Sequence, residues 1–235
     1  MYRRLTAYLI IFFSSLSFAN QTLPDKVKLS TKLWPPYHFY NDNGDLVGIS
    51  VKVLQCSFKK LNINLEIEVP PWSRAQQHAP MGISDGFFSA SWNAARDKYA
   101  SRSTDIAPQN WVWYTLKAFE MDPRTDAFKQ KAKVVGTRGS NIIHWLKKNN
   151  YAISAETTDL DSMVNMISNG RADAFMANEL VAINGLTGKV NLDNFKTTIA
   201  RSMPVGVYYS HRFLQKYPSF LSDFNQSIKT CKVPN

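Results

Sequence analysis

Between residues 27 and 91 the chain alternates short apolar runs with helical stretches: strand, helix, strand, helix, strand. Residues 27–29 form the first run, and Ser50 then caps a helix that ends near Asn62 and carries its apolar stripe on Val51, Leu54, Phe58 and Leu61. Leu65, Ile67 and Val69 alternate with Asn64, Glu66 and Glu68, the period-two pattern of a half-buried strand. Pro70 and Pro71 break it, and a short helix from Trp72 to about Pro80 leads to the run Gly86, Phe87, Phe88. Strands separated by helices rather than tight turns pair in parallel, because a crossover must return the chain to the same end of the sheet. The order therefore predicts a parallel α/β sheet.

The plan repeats downstream. Residues 111–116 are aromatic and extended, a strand placed to leave the first unit, and residues 133–136 form another. Gly139, Ser140 and Asn141 open a helix to about Lys148, and residues 152–155 are strand-like. Thr158 or Asp159 starts a helix with its stripe on Leu160, Met163, Val164 and Ile167, stopped by Gly170. A strand over residues 172–177 precedes Asn178, which is placed to cap the next helix. Residues 203–209 form a last strand before a closing helix over about 218–231. No low-complexity stretch separates the two α/β units, so the expectation is two lobes joined by strands.

Arg3 and Arg4 precede an apolar run, residues 5–18, that ends in Ser17, Phe18 and Ala19. The run is shorter than the ~20 residues of a membrane span and ends in a small-x-small cleavage pattern, so it reads as an export signal over residues 1–19. The expected location is the periplasm. Loss of Arg3 and Arg4 lowers the formal charge from +10 to +8, and the remaining basic residues are scattered. No basic stripe with interleaved aromatics is present, which argues against nucleic acid as a partner. The two cysteines, Cys56 and Cys231, fit an oxidising compartment. Cys56 points away from its helix's apolar stripe, so the expectation is a disulfide that ties the carboxyl-terminal helix to the first helix.

The segment over residues 85–103 carries the densest chemistry. The run that ends at Phe88 empties into Ser89, Ser91 and Trp92, and Arg96 follows. A guanidinium grips a carboxylate with two parallel hydrogen bonds, and serine hydroxyls complete the anion's shell. Arg74 is a second candidate anion contact. Trp34, Tyr37, Trp72 and Trp92 flank predicted strand ends, where ligands of open α/β sheets sit. The four histidines have no metal-ligand spacing, and no activated nucleophile or acid–base carboxylate pair stands out. The reading is a binding protein rather than an enzyme, without cofactor or metal.

These residues, in this order, resemble the extracellular solute-binding proteins of family 3, the polar amino-acid-binding type that feeds ABC importers. The resemblance rests on Trp34-Pro35-Pro36-Tyr37, Gly48-Ile49-Ser50-Val51, Trp72, the segments 85–89 and 96–103, Val135 to Ser140, Gly170 to Ala174 and residues 204–209. It implies a type II periplasmic binding fold: residues 20–112 and 203–235 as one lobe, 113–202 as the other, with hinge segments near 110–113 and 201–204. By the same resemblance Arg96 and Ser89 hold the ligand's α-carboxylate, Trp34 and Trp72 sandwich its side chain, and Ser140 with Asn141 offers groups from the second lobe. The family's ammonium-binding aspartate is replaced by Asn178, which lacks the full charge. The segment between Ser89 and Arg96 is about one residue short of the family pattern. The implied ligand is a small carboxylate, an amino acid or a related acid, and the implied partner a membrane permease or receptor, with the protein a monomer.

Overall fold

The computed structural model describes residues 23–231; the export signal expected over residues 1–19 lies outside the described residues. The first part of the chain runs through β1 (Lys26–Ser30), β2 (Phe39–Tyr40), β3 (Leu46–Val47), α1 (Ile49–Lys60), β4 (Asn64–Glu68), α2 (Trp72–Met81), β5 (Gly86–Ser91) and β6 (Ala100–Arg102). The middle holds β7 (Asn110–Leu116), α3 (Asp126–Lys131), β8 (Val134–Thr137), α4 (Asn141–Lys148), β9 (Ile153–Thr157), α5 (Leu160–Ser168), β10 (Ala174–Asn178), α6 (Glu179–Leu186) and β11 (Phe195–Ser202). The chain closes with β12 (Val205–Ser210), α7 (His211–Lys216) and α8 (Phe220–Lys229).

Two five-stranded sheets result. The first has the order β4-β1-β5-β12-β6, with β1 parallel to β4 and β5 and β12 antiparallel to β5 and β6. The second has the order β11-β7-β10-β8-β9, with β8 parallel to β9 and β10 and β7 antiparallel to β10 and β11. The mixed α/β architecture with two helix-flanked sheets is as the sequence predicts.

Both sheets are covered on both faces, which is why their central strands read as unbroken apolar runs. Phe88, Val207 and Tyr209 join the core under α1 and α8, whereas the alternate residues Phe87 and Tyr208 join the one under α2. In the second sheet Val112, Tyr114, Phe175 and Ala177 face one core, and Trp111, Trp113, Ala174 and Met176 face the other. Gly48 enters α1 at φ 132°, where a Cβ would lie 2.4 Å from the Tyr37 carbonyl oxygen. Only glycine lets the Trp34–Tyr37 turn pack so closely on that helix.

The chain crosses between the sheets twice, and the crossings bond to each other. Val205 N–H donates to the Ala107 carbonyl at 3.0 Å and Met203 N–H to the Gln109 carbonyl at 2.7 Å. Asn110 and Ser202 already belong to β7 and β11, and Val205 to β12, so the crossings are residues 107–109 and 203–204. Cys56 and Cys231 are bonded, with Cα atoms 5.7 Å apart, and pin the end of the chain to α1 within the first lobe. Lys60 Nζ adds a 2.6 Å hydrogen bond to Thr230 Oγ1 beside it.

Candidate functional site

A cleft of about 430 Å³ lies between the lobes, lined by residues at the carboxyl ends of β1, β5, β8, β9 and β10 and by the first crossing. Strand ends expose backbone and loop side chains that no neighbouring strand can cover, so parallel sheets bind ligands there.

Arg96 is only 7 % exposed yet lines this cleft. A tight turn delivers it: Asn93 Oδ1 accepts the Ala95 N–H at 2.8 Å, and the Asn93 carbonyl accepts the Arg96 N–H at 2.9 Å. Its Nε donates to Gln76 Oε1 at 2.9 Å and its Nη1 to the Ser91 carbonyl at 2.8 Å. The guanidinium lies 5.5 Å from the Trp72 ring centre, 5.8 Å from Tyr208 and 5.9 Å from Phe87. Burial lowers its pKa, and no carboxylate among the described residues offsets that. An uncompensated buried charge costs several kcal/mol, and an anionic ligand would remove that cost.

Ser89 stands beside it in the left-handed region, φ 56°, where the pairing of β5 with β12 slips by one residue. Such a bulge re-aims side chains at a sheet's rim. Ser89 Oγ donates to Ser50 Oγ at 2.8 Å, so the hydroxyl proton is engaged while the oxygen still faces the cleft. Ser91 also lines the cleft and holds Arg96 through its carbonyl.

Trp34 and Trp72 line the cleft as expected positions, and Ser140 and Asn141 do so from the second lobe. Three of the expected residues stand elsewhere. Tyr37 is fully buried beneath Trp34, ring centres 4.4 Å apart; its hydroxyl donates to the Pro108 carbonyl at 2.8 Å and accepts from Asn178 Nδ2 at 3.3 Å. It braces the first crossing against the second lobe, and burial pushes its pKa up to about 12. Arg74 is exposed on α2, whose inward positions are Ala75 and Ala79. Trp92 is 62 % exposed beyond the end of β5, with Nε1 donating to Asp97 at 2.9 Å. Asn178 does line the cleft, but Oδ1 is taken by the Val181 N–H at 3.1 Å as the cap of α6.

Sequence reasoning missed four polar groups at the cleft. Lys32 extends over the Trp34 ring at 5.5 Å. His38 is 1 % exposed, its Nδ1 has no partner at hydrogen-bond geometry, and burial lowers its pKa to about 4 against the opposing pull of the Lys32 backbone carbonyl. Gln109, on the first crossing, is 8 % exposed and its Oε1 is also without a partner. Asp159 faces the cleft from the start of α5, where it caps the Ser162 N–H at 2.7 Å. Proximity of Lys32 to Trp34 in sequence was the one available signal.

Two sheets joined by paired crossings around a cleft that holds a buried, unpaired guanidinium define a two-lobed ligand-binding protein. No protein-family model matches the chain. It is similar to the L-cystine-binding protein TcyJ of Escherichia coli K12, 27% identical over 193 residues, covering 78% of this chain and 72% of the relative. Its fold is that of the L-cystine solute receptor of Neisseria gonorrhoeae in the unliganded open conformation: TM-score 0.66, 17% identity, 87% of this chain and 86% of that one. An ABC uptake transporter substrate-binding protein from Streptococcus pneumoniae with bound histidine shares it too, with TM-score 0.65, 13% identity and coverage of 88% and 86%. The family 3 resemblance read from the ordered motifs and the fold of these structures agree.

Proposed function

We propose that this protein is a periplasmic solute-binding protein that captures a small carboxylate-bearing ligand, an amino acid or related organic acid, and presents it to an ABC transporter. The observation that carries this reading is Arg96, a buried cation at the cleft that no carboxylate among the described residues offsets. The ligand first rests on the lobe that carries the first sheet, its carboxylate on Arg96 and its body against Trp34 and Trp72, beside Ser89. The lobe that carries the second sheet then turns about the paired crossings, bringing Ser140, Asn141 and Asn178 over it. Closure expels water, which strengthens each polar contact. Because Asn178 Oδ1 is committed to its helix, Gln109 Oε1 is the acceptor left for a ligand N–H. L-cystine, named for the curated relative, is a first candidate ligand.

The test is a thermal-shift screen over L-amino acids and simple organic acids, followed by calorimetry on the hits. One carboxylate should raise the melting temperature, bind with one-to-one stoichiometry and be recovered unchanged. Arg96→Ala should weaken it by about 2–5 kcal/mol, the cost of stranding a buried ionic partner. Affinity within twofold of the unmodified protein would overturn the assignment.

A further inference from the structure

Arg96 is not the only cation in the cleft that lacks a counter-charge. Lys32, just past the end of β1, is half-buried, and its Nζ has Trp34 as its one described partner, a ring face rather than an acid. Beside it the imidazole of His38 is buried at 1 % exposure, lines the cleft and leaves Nδ1 unpaired. Native proteins pair almost all buried polar atoms, so an orphan at a cleft wall marks a partner that the chain does not supply. The two features stand on one wall, from residues six apart in one loop, and neither enters the role given to Arg96.

The sheet separates this pair from Arg96. β1 and β5 are neighbouring parallel strands, and the successive residues Phe87 and Phe88 of β5 point to opposite faces. Arg96 packs on Phe87 and Trp72; His38 packs edge-on against Phe88 with ring centres 5.2 Å apart, next to Trp34. The cations therefore sit to either side of the β5 end, each against its own indole. One carboxylate on Arg96 leaves Lys32 unanswered. The opposing wall supplies a single acidic side chain, Asp159, and no lysine or arginine.

We propose that Lys32 and His38 form a second anion post and that the ligand is an amino acid with two carboxylates, one on each post. Its ammonium group is drawn toward the unpaired Gln109 Oε1. An acidic amino acid fits this charge pattern, and so does a bis-amino acid such as L-cystine; a neutral amino acid leaves one post empty. This inference rests on the Arg96 reading and narrows it.

Calorimetry without reductant on the full mature protein, with L-glutamate, L-cystine, L-glutamine and L-histidine as probes, tests it. L-glutamate or L-cystine should bind at least tenfold more tightly than L-glutamine, which has the shape of glutamate and one carboxylate fewer. Lys32→Gln should weaken the two-carboxylate ligand tenfold or more and change L-glutamine less than threefold. Lys32→Arg, which keeps the charge, should restore most of the loss. L-glutamine or L-histidine binding as tightly as both two-carboxylate probes would overturn the proposal, as would unchanged L-glutamate and L-cystine affinity in Lys32→Gln. Should Arg96→Ala abolish binding of a neutral amino acid that ignores Lys32, the second post falls and the Arg96 reading stands. If none of the four probes binds, both fall.

Discussion

The two walls of the cleft both carry polar side chains and use them differently. On the first-lobe wall and the crossing, Arg96 and Lys32 have no acid, and His38 Nδ1 and Gln109 Oε1 have no hydrogen-bond partner. On the second-lobe wall the polar side chains are spent on the fold. Ser140, Asp159 and Asn178 each accept the backbone N–H three residues on, at 3.1, 2.7 and 3.1 Å, and so start α4, α5 and α6. The difference teaches that a polar residue in a cleft is informative when its bonding is incomplete. The first lobe grips; the second covers.

Beyond the loss of affinity expected for Arg96→Ala, the comparison can be broken in four further ways, taken from the largest effect down. The Cys56–Cys231 bond joins two points of the first lobe across a 175-residue separation that spans the second. Cys56→Ser with Cys231→Ser should lower stability by about 2–5 kcal/mol, through a less restricted unfolded chain. A melting temperature lower by roughly 5–15 °C, with amide protection lost first in the first sheet, is the expected result.

Acid should also act on the first lobe. Burial pushes the Glu68 carboxyl up, but hydrogen bonds from Lys28, Ser30 and His78, with the charge of Lys28, outweigh it and bring the pKa down to about 2. A carboxyl lowered on folding stabilises the folded state above its unfolded pKa, and that stabilisation is lost as the pH falls. Denaturant titrations should therefore show about 1–3 kcal/mol lost between pH ~4.5 and ~2. Glu68→Gln should flatten that dependence; an equal slope in the variant would remove Glu68 from the account.

The cap substitutions divide the walls most sharply. Ser140→Ala and Asp159→Ala should each cost about 1 kcal/mol of stability, as lost helix caps do. Their effect on ligand affinity should stay well below that of Arg96→Ala. A loss as large as that of Arg96→Ala would mean the second lobe grips as well. The smallest effect belongs to Trp92→Ala: its indole lies outside the cleft, so affinity should stay within twofold by calorimetry.

How far these features could be read from residues alone follows from what makes a pattern visible. The central strands and the helices between them are legible because strands buried on both faces leave continuous apolar runs, as in residues 86–88 and 174–177. β11 is not, since only Phe195 of Phe195–Ser202 is buried at this sheet edge and the sequence lacks alternation. The three-residue β6 and the short helix α7 are too brief to show a period.

In the site, the position of Arg96 and Ser89 at the cleft is legible in a strand end that empties into hydroxyls and then a guanidinium. Tyr37 was misplaced because an aromatic beside a strand end can face the core as readily as the cleft. Lys32, His38 and Gln109 were missed because their significance lies in lacking partners, which only the folded chain displays. That two cations flank the end of β5 likewise depends on β1 and β5 being neighbours, a fact of sheet order.

The central claim is that the Arg96 guanidinium is the seat of the ligand's carboxylate. A crystal structure of the protein with the tightest ligand from the screen tests it most directly. The account predicts carboxylate oxygens about 2.7–3.0 Å from the guanidinium nitrogens, the range of charge-assisted hydrogen bonds, with Gln76 and the Ser91 carbonyl still holding its other edge. A closed structure in which Arg96 pairs with an acid of its own chain, while the ligand's carboxylate lies elsewhere, would contradict it.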